Sequence, residues 1–300
     1  MSVFAENQKG DSFLFDDARR WNGGVEAVFA PSADRTVLRK LNFYGPLRIQ
    51  SLFYPECAEG TRCAHCYLLH PPGGLVSGDH LNIDVKAIDG ARALITTPAM
   101  TKVYMTDSHH VSQSESISLK AESSDLEWLP QGVIFFDGSD AIFSLKADLD
   151  EQSSLIALSL NVFGRKPNGA DYIHARCRID SYITRNGIPL LSEQLELEPG
   201  SDLLKSPYGL SGFGVCGQLY AIVRPEDEAT LEQECSKMAP ELARYDDRAM
   251  VAVTFANHVA AVRVLGDSSE EVFSLLISAW ERLRPVANGR SPLRPRIWNT

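Results

Sequence analysis

The sequence predicts a mainly β, single-domain protein with a pair of α-helices near its C-terminus. Apolar and polar residues alternate with period 2 from residue 36 to 223, helical spacing appears only after Pro225, and no linker-like stretch divides the 300 residues. A hydrophobic content of 44% over that length is enough to bury a large core. No β-α-β-α alternation is present, which argues against a doubly wound nucleotide-binding fold.

The elements follow in chain order. Residues 1–20 are expected to form a flexible tail ahead of the domain. Leu81, Ile83 and Val85 alternate with polar neighbours, as do Ile117, Leu119 and Ala121. Ile173, Ala175, Cys177 and Ile179 line one face of a further strand, with His174, Arg176, Arg178 and Asp180 on the other. Asn186-Gly187 then suits a type I′ turn, so strands 173–185 and 188–197 should pair antiparallel. Asn257-His258 sits in the same way between Val251/Val253/Phe255 and Ala260/Val262/Val264. After Pro225, the spacing of Leu231, Cys235, Met238 and Leu242 predicts a helix over 226–245, broken at Pro240. A second helix is expected to start at Ser268 with Glu271 completing a capping box, to bury Val272, Phe273, Leu276, Trp280 and Leu283, and to end at Pro285. Residues 285–300 form a basic tail.

Charge and segment patterns exclude several partners. A net charge of −10 and a pI near 5.2 argue against nucleic acid, because phosphate binding needs a concentrated excess of Lys and Arg. The start lacks a signal-peptide pattern and no apolar run approaches the length of a membrane span, so a soluble, cytoplasmic protein is expected. Six cysteines in that setting read as reduced thiols.

Candidate chemistry is sparse. Residues 212–217, Gly-Phe-Gly-Val-Cys-Gly, match a dinucleotide fingerprint formally, but a strand-like run follows instead of a helix, so a glycine turn feeding a strand is the better reading. There is no GxxxxGK[ST] loop, GxSxG elbow or HExxH helix, which leaves catalysis without support. Cys63 and Cys66, with Cys57, His65 and His70 nearby, have the spacing of half a metal site, yet a second ligand pair is missing. Either this cluster holds a metal, or Cys66 is a core residue and the others lie on a loop. His109-His110 fits a solvated turn, since strand neighbours point to opposite faces. From Tyr67 to Tyr104 the chain carries stiff Pro- and Gly-rich turns, with His70 and Asp79 at the ends of one and Lys102 at the end of another. These groups line a partner surface or a polar passage, or simply cap backbone groups.

Six blocks carry a resemblance: GPLRIQSLFYPE at 45–56, LLHPPGGLVSGDHL at 68–81, TTPAMTKVY at 96–104, LEWLPQGVIFFDG at 126–138, FGR at 163–165 and RPRIW at 294–298. Together, and in this order, they resemble the urease accessory proteins of the UreD (UreH) type. The resemblance implies a non-enzymatic scaffold of two-layered β-helical, sandwich-like fold with a pair of α-helices. It implies urease apoprotein and a UreF-type accessory protein as direct partners, and a UreG-type GTPase reached through UreF. No cofactor is expected to be tightly bound; Ni²⁺ is expected in transit. Positions for the nickel passage or a partner surface are His70, Asp79, Thr97, Lys102, Tyr104, Asp137, Arg165 and Glu193. Weak, scattered ligands suit a carrier that must release its ion.

The basic tail, through Arg290, Arg294, Arg296 and Trp298, either docks an accessory partner or packs back on its own domain. One departure from the family pattern stands at Gly132, where LPQE is usual. The competing readings are a stand-alone metal-binding protein using the Cys57–His70 cluster, and a β-rich hydrolase of unrecognised type.

Overall fold

The computed structural model describes residues 19–56, 60–164, 172–245 and 248–299. The chain opens with a hairpin, β1 (Trp21–Ser32) and β2 (Arg35–Tyr44), and crosses through β3 (Arg48–Ile49) to β4 (Ala64–Leu69). It then winds between two sheets. β5 (Asp79–Ala87), β8 (Gln113–Ala121), β11 (Asp140–Leu149) and β13 (Arg176–Arg185) lie side by side and parallel in the first, extending the β1–β2 hairpin. The intervening strands β6 (Arg92–Thr96), β9 (Asp125–Trp128) and β12 (Ser154–Phe163) stack in parallel beside β4 in the second. The short β7 (Thr101–Val103) and β10 (Val133–Phe135) continue these turns.

Antiparallel pieces close both sheets. β14 (Ile188–Leu197) returns along β13 through Asn186 and Gly187, whose φ values of 51° and 77° are those a type I′ turn requires. β15 (Val215–Ile222) pairs with β12 and leads into α1 (Glu228–Leu242), β16 (Arg244–Tyr245), β17 (Ala249–Ala256), β18 (Val259–Gly266) and α2 (Ser269–Asn288). The β17–β18 turn is Asn257-His258, both at positive φ. The fold is therefore mainly β, two-layered and solenoid-like, with a helix pair late in the chain.

The helices add a third layer that the alternation does not reveal. The first sheet buries one face: in β5 the pattern is strictly alternate, with Leu81, Ile83 and Val85 inward and Asn82 and Asp84 outward. The second sheet buries both. Leu126, Trp128, Leu155 and Ala157 face the first sheet, whereas Leu129, Ile156, Leu158 and Leu219 pack under α2 residues Leu276, Ile277, Trp280 and Leu283. Strands covered on both faces read as continuous apolar runs, as Ser154–Phe163 does.

Both proline expectations are corrected. α1 runs unbroken past Pro240, which sits in its last turn, so within the helix only the Ser236 carbonyl loses its donor. α2 continues beyond Pro285 to Asn288 and ends at Gly289, whose φ of 67° gives the left-handed C-cap. Ser268 caps its start, its hydroxyl accepting from the Glu271 N–H at 3.2 Å. The expected tail over 1–20 falls almost wholly outside the described residues. No helix among the described residues is long and apolar enough to cross a membrane.

The glycines of residues 212–217 do structural work. Gly212 turns at φ 85°, and a Cβ on Gly217 would meet Leu276 and Val272 of α2 at 2.7 Å. Replacing Gly217 with Val should overpack this contact and cost about 1–3 kcal/mol. A urea midpoint equal to that of wild type would refute so close a seat for α2.

Candidate functional site

Four charged side chains from three distant segments meet under α2. Glu56 lies in the connection between β3 and β4, Glu127 lies on β9, Arg284 is in α2 and Arg290 follows it; all are buried. Arg284 donates to Glu56 Oε1 at 2.5 Å and through Nε to both oxygens of Glu127 at 3.0 and 3.1 Å. Arg290 donates to Glu56 Oε2 at 2.6 Å and to the Thr61 carbonyl at 2.7 Å. The Trp280 indole and the Asn288 amide complete Glu127 at 2.7 and 3.1 Å. Two carboxylates thus balance two guanidinium groups, which makes burial tolerable. Burial pushes the Glu56 carboxyl up, but the His65 hydrogen bond and the Arg284 charge outweigh it and hold its pKa at about 2.

This arrangement decides the cysteine cluster. Glu56, Cys63 and His65 stand close enough to share an ion. Both Glu56 oxygens are already taken by arginines, and burial drives the Cys63 thiol far up, so the group offers a cation two positive neighbours and no free anionic ligand. Cys66 is not part of it: it faces the core between the sheets, while His65, next to it on β4, binds Glu56 at 2.7 Å on the helix side. His70 lies elsewhere again, on a cavity wall. Cys57 lies outside the described residues. The half-site spacing therefore does not converge, because strand neighbours diverge to opposite faces.

The basic tail also finds its partners inside the chain. Arg290 is spent on Glu56 and Arg294 pairs with Glu281 at 2.6 Å, while Arg296 stays exposed. Trp298 donates to Thr96 Oγ1 at 2.8 Å and packs edge-on against Phe273 and Trp280. Of the two sequence-level readings of the tail, this is the one in which it packs on its own domain.

Between the sheets lies a cavity of about 220 Å³, room for several waters. His70, Thr97 and Lys102 line it, as sequence positions, and exposed Gly73, Ala99 and Lys102 bring it to solvent at the 97–102 turn. The His70 Nε2 is buried with no partner among the described residues, and desolvation lowers the imidazole pKa. Thr97 is spent locally, accepting from the Gln131 N–H at 3.0 Å. Gly132 borders the same cavity at φ 116°, and a Cβ there would meet the Leu160 carbonyl at 2.6 Å.

One cavity residue was missed by the sequence reading. Glu115 occupies an inward position on β8, in register between Leu81 of β5 and Phe143 of β11. Among the described residues its carboxyl has no hydrogen-bond or ion-pair partner, and desolvation raises its pKa to about 7. The signal was present: carrying the Ile117–Leu119–Ala121 alternation back two residues places Glu115 on the buried face.

The remaining candidates lie apart. Asp79 is a turn cap, accepting from the Val76 N–H at 2.8 Å. Tyr104 stacks on Phe136, and nearby Asp137 accepts from the Ile173 and His174 N–H groups at 2.8 and 2.6 Å. Glu193 of β14 ties the layers together by accepting from the Tyr220 hydroxyl of β15 at 2.7 Å and pairing with Arg263 of β18. Arg165 lies outside the described residues.

Fold and site together define a two-layered β-helical protein with a solvent-connected, largely apolar cavity carrying a few polar groups between its layers, and with one sheet sealed by helices. The UreD urease accessory protein family model matches residues 22–299, and this chain belongs to that family. It is 34% identical over 299 residues to the urease accessory protein UreD of Chromohalobacter salexigens, covering 97% of this chain and 93% of the relative. Identity is 35% over 291 residues with UreD 1 of Psychrobacter cryohalolentis, covering 95% and 93%, and 35% over 292 residues with UreD of Marinobacter nauticus, covering 95% of each.

Changing Glu56 to Ala should cost about 3–5 kcal/mol in urea unfolding, because two buried guanidinium groups lose their counter-charge. Changing exposed Arg294 to Ala should cost less than about 1 kcal/mol. The Glu56 pKa falls from 4.5 to about 2 on folding, so its contribution is full above 4.5 and is lost as pH drops toward 2. The acid-unfolding curve of Glu56→Gln should be flatter through that window, as followed by circular dichroism.

Proposed function

We propose that this chain is a non-enzymatic scaffold for the maturation of urease, and that Ni²⁺ travels through the cavity between its sheets. The carrying observation is a pair of polar groups, the His70 Nε2 and the Glu115 carboxyl, that line one solvent-connected cavity and have no partner among the described residues. A lone imidazole and a lone carboxyl are ligands of moderate affinity, suited to an ion that must be handed on. Family membership supplies urease as the enzyme served. On this reading the chain bridges urease apoprotein to a UreF-type protein and, through it, to a UreG-type GTPase; its surface at Tyr104, Asp137 and Arg296 is available for such contacts.

Filling the cavity tests the passage. Ser181 lies on its wall, and Ser181→Phe should leave the partners co-purifying while urease made in its presence loses most of its nickel and at least about tenfold of its activity. Full nickel loading of urease with this well-folded variant would rule out the passage. Loss of co-purification would instead locate the defect in assembly.

A further inference from the structure

The interior carboxyl invites a more specific assignment, which rests on the cavity reading above. Glu115 belongs to a register row whose neighbours are Leu81 and Phe143, with Ile179 beyond. An ionised carboxylate left without a donor among such residues is strongly disfavoured. Yet the side chain does not face a sealed core, because the cavity supplies it with accessible surface and opens at the 97–102 turn. The buried His70 Nε2, without a partner among the described residues, lines the same cavity.

The titratable groups around the cavity are few. His70 comes from the turn after β4, Lys102 from β7 and Asp180 from β13; β5, β11 and β12 contribute none. Asp180 pairs with Arg178 at 2.9 Å, and desolvation alone raises the Glu115 pKa to about 7.

We propose that Glu115 is a proton-for-cation exchange point: it rests as a carboxylic acid and binds a divalent cation as its O–H bond breaks, a carboxylate–cation bond forms and the proton leaves to water. The cation keeps its charge and no electron moves. Water fills the coordination positions that Glu115 and His70 leave open. Loading is then favoured as pH rises through neutrality, and acidification returns the proton and expels the ion.

The test is calorimetric titration of the full-length chain with NiCl₂ in buffers of different ionisation enthalpy, which counts protons released per ion. At pH 6.5 about one proton should leave wild type per Ni²⁺, and the count should fall toward zero by pH 8.5 as the acid ionises beforehand. Glu115→Gln, nearly isosteric and permanently neutral, should lose this release and bind Ni²⁺ at least about tenfold more weakly. Equal release and affinity in the two proteins would overturn the assignment. Urease activation in cells reads the passage separately. A Glu115→Gln chain that has lost proton release but still activates urease keeps the exchange point and removes the passage. Equal release in wild type and Glu115→Gln, together with lost activation in the Ser181→Phe chain, does the reverse.

Discussion

The structure depends on one electrostatic constraint: Glu56 and Glu127 are buried carboxylates that the guanidinium groups of Arg284 and Arg290 neutralise. Removing any one of the four strands a charge in a low-dielectric interior, whereas replacing all of them by well-packed apolar groups can be neutral. The cluster is therefore best understood as a positioning device. It sets α2 at one height on the second sheet, and it explains why that helix survives Pro285. Glu127 clamps Arg284 on one side of the proline and Asn288 on the other, which offsets the cost of about 3 kcal/mol expected for an interior proline. The tail then follows α2 over β4 to Trp298.

The sealed and open parts of the molecule are complementary. On the helix side both carboxylates of the cluster are engaged, Glu56 by Arg284, Arg290 and His65 and Glu127 by Arg284, Trp280 and Asn288, so a cation finds no free carboxylate there. Between the sheets the reverse holds, where His70 and Glu115 keep uncommitted polar atoms beside open space. The described cysteines are all buried, and none of them lines that open space. Burial raises the thiols of Cys66 and Cys216 to about 12, so they behave as small apolar residues and not as metal ligands.

Local pattern made much of the fold legible. Both hairpin turns were readable because Asn-Gly and Asn-His pairs tolerate positive φ between alternating strands, and α2 announced itself through Ser268 and its apolar stripe. The parallel winding was not, since period 2 is the same for parallel and antiparallel strands. The charged cluster left no local trace, because Glu56 and Arg290 are 234 positions apart and each looks like an ordinary surface charge in its own segment. Glu127 was the exception, a carboxylate within the apolar run Leu126–Trp128. Among the site residues, His70, Thr97 and Lys102 were found through turn chemistry and do share the cavity, while Asp79 proved to be the cap of its own turn.

The sequence distance spanned by the charged cluster has a consequence for biosynthesis. Glu56 leaves the ribosome long before Arg284, 228 residues later, and at typical elongation rates the interval is on the order of tens of seconds. During that time the second sheet can form its parallel ladder, but its outer face has no α2 to cover it and its carboxylates have no counter-charge. The nascent chain is thus an incomplete, sticky intermediate until its last residues are made. Yield of this protein in cells is set by what shields that face during translation as much as by the stability of the finished fold.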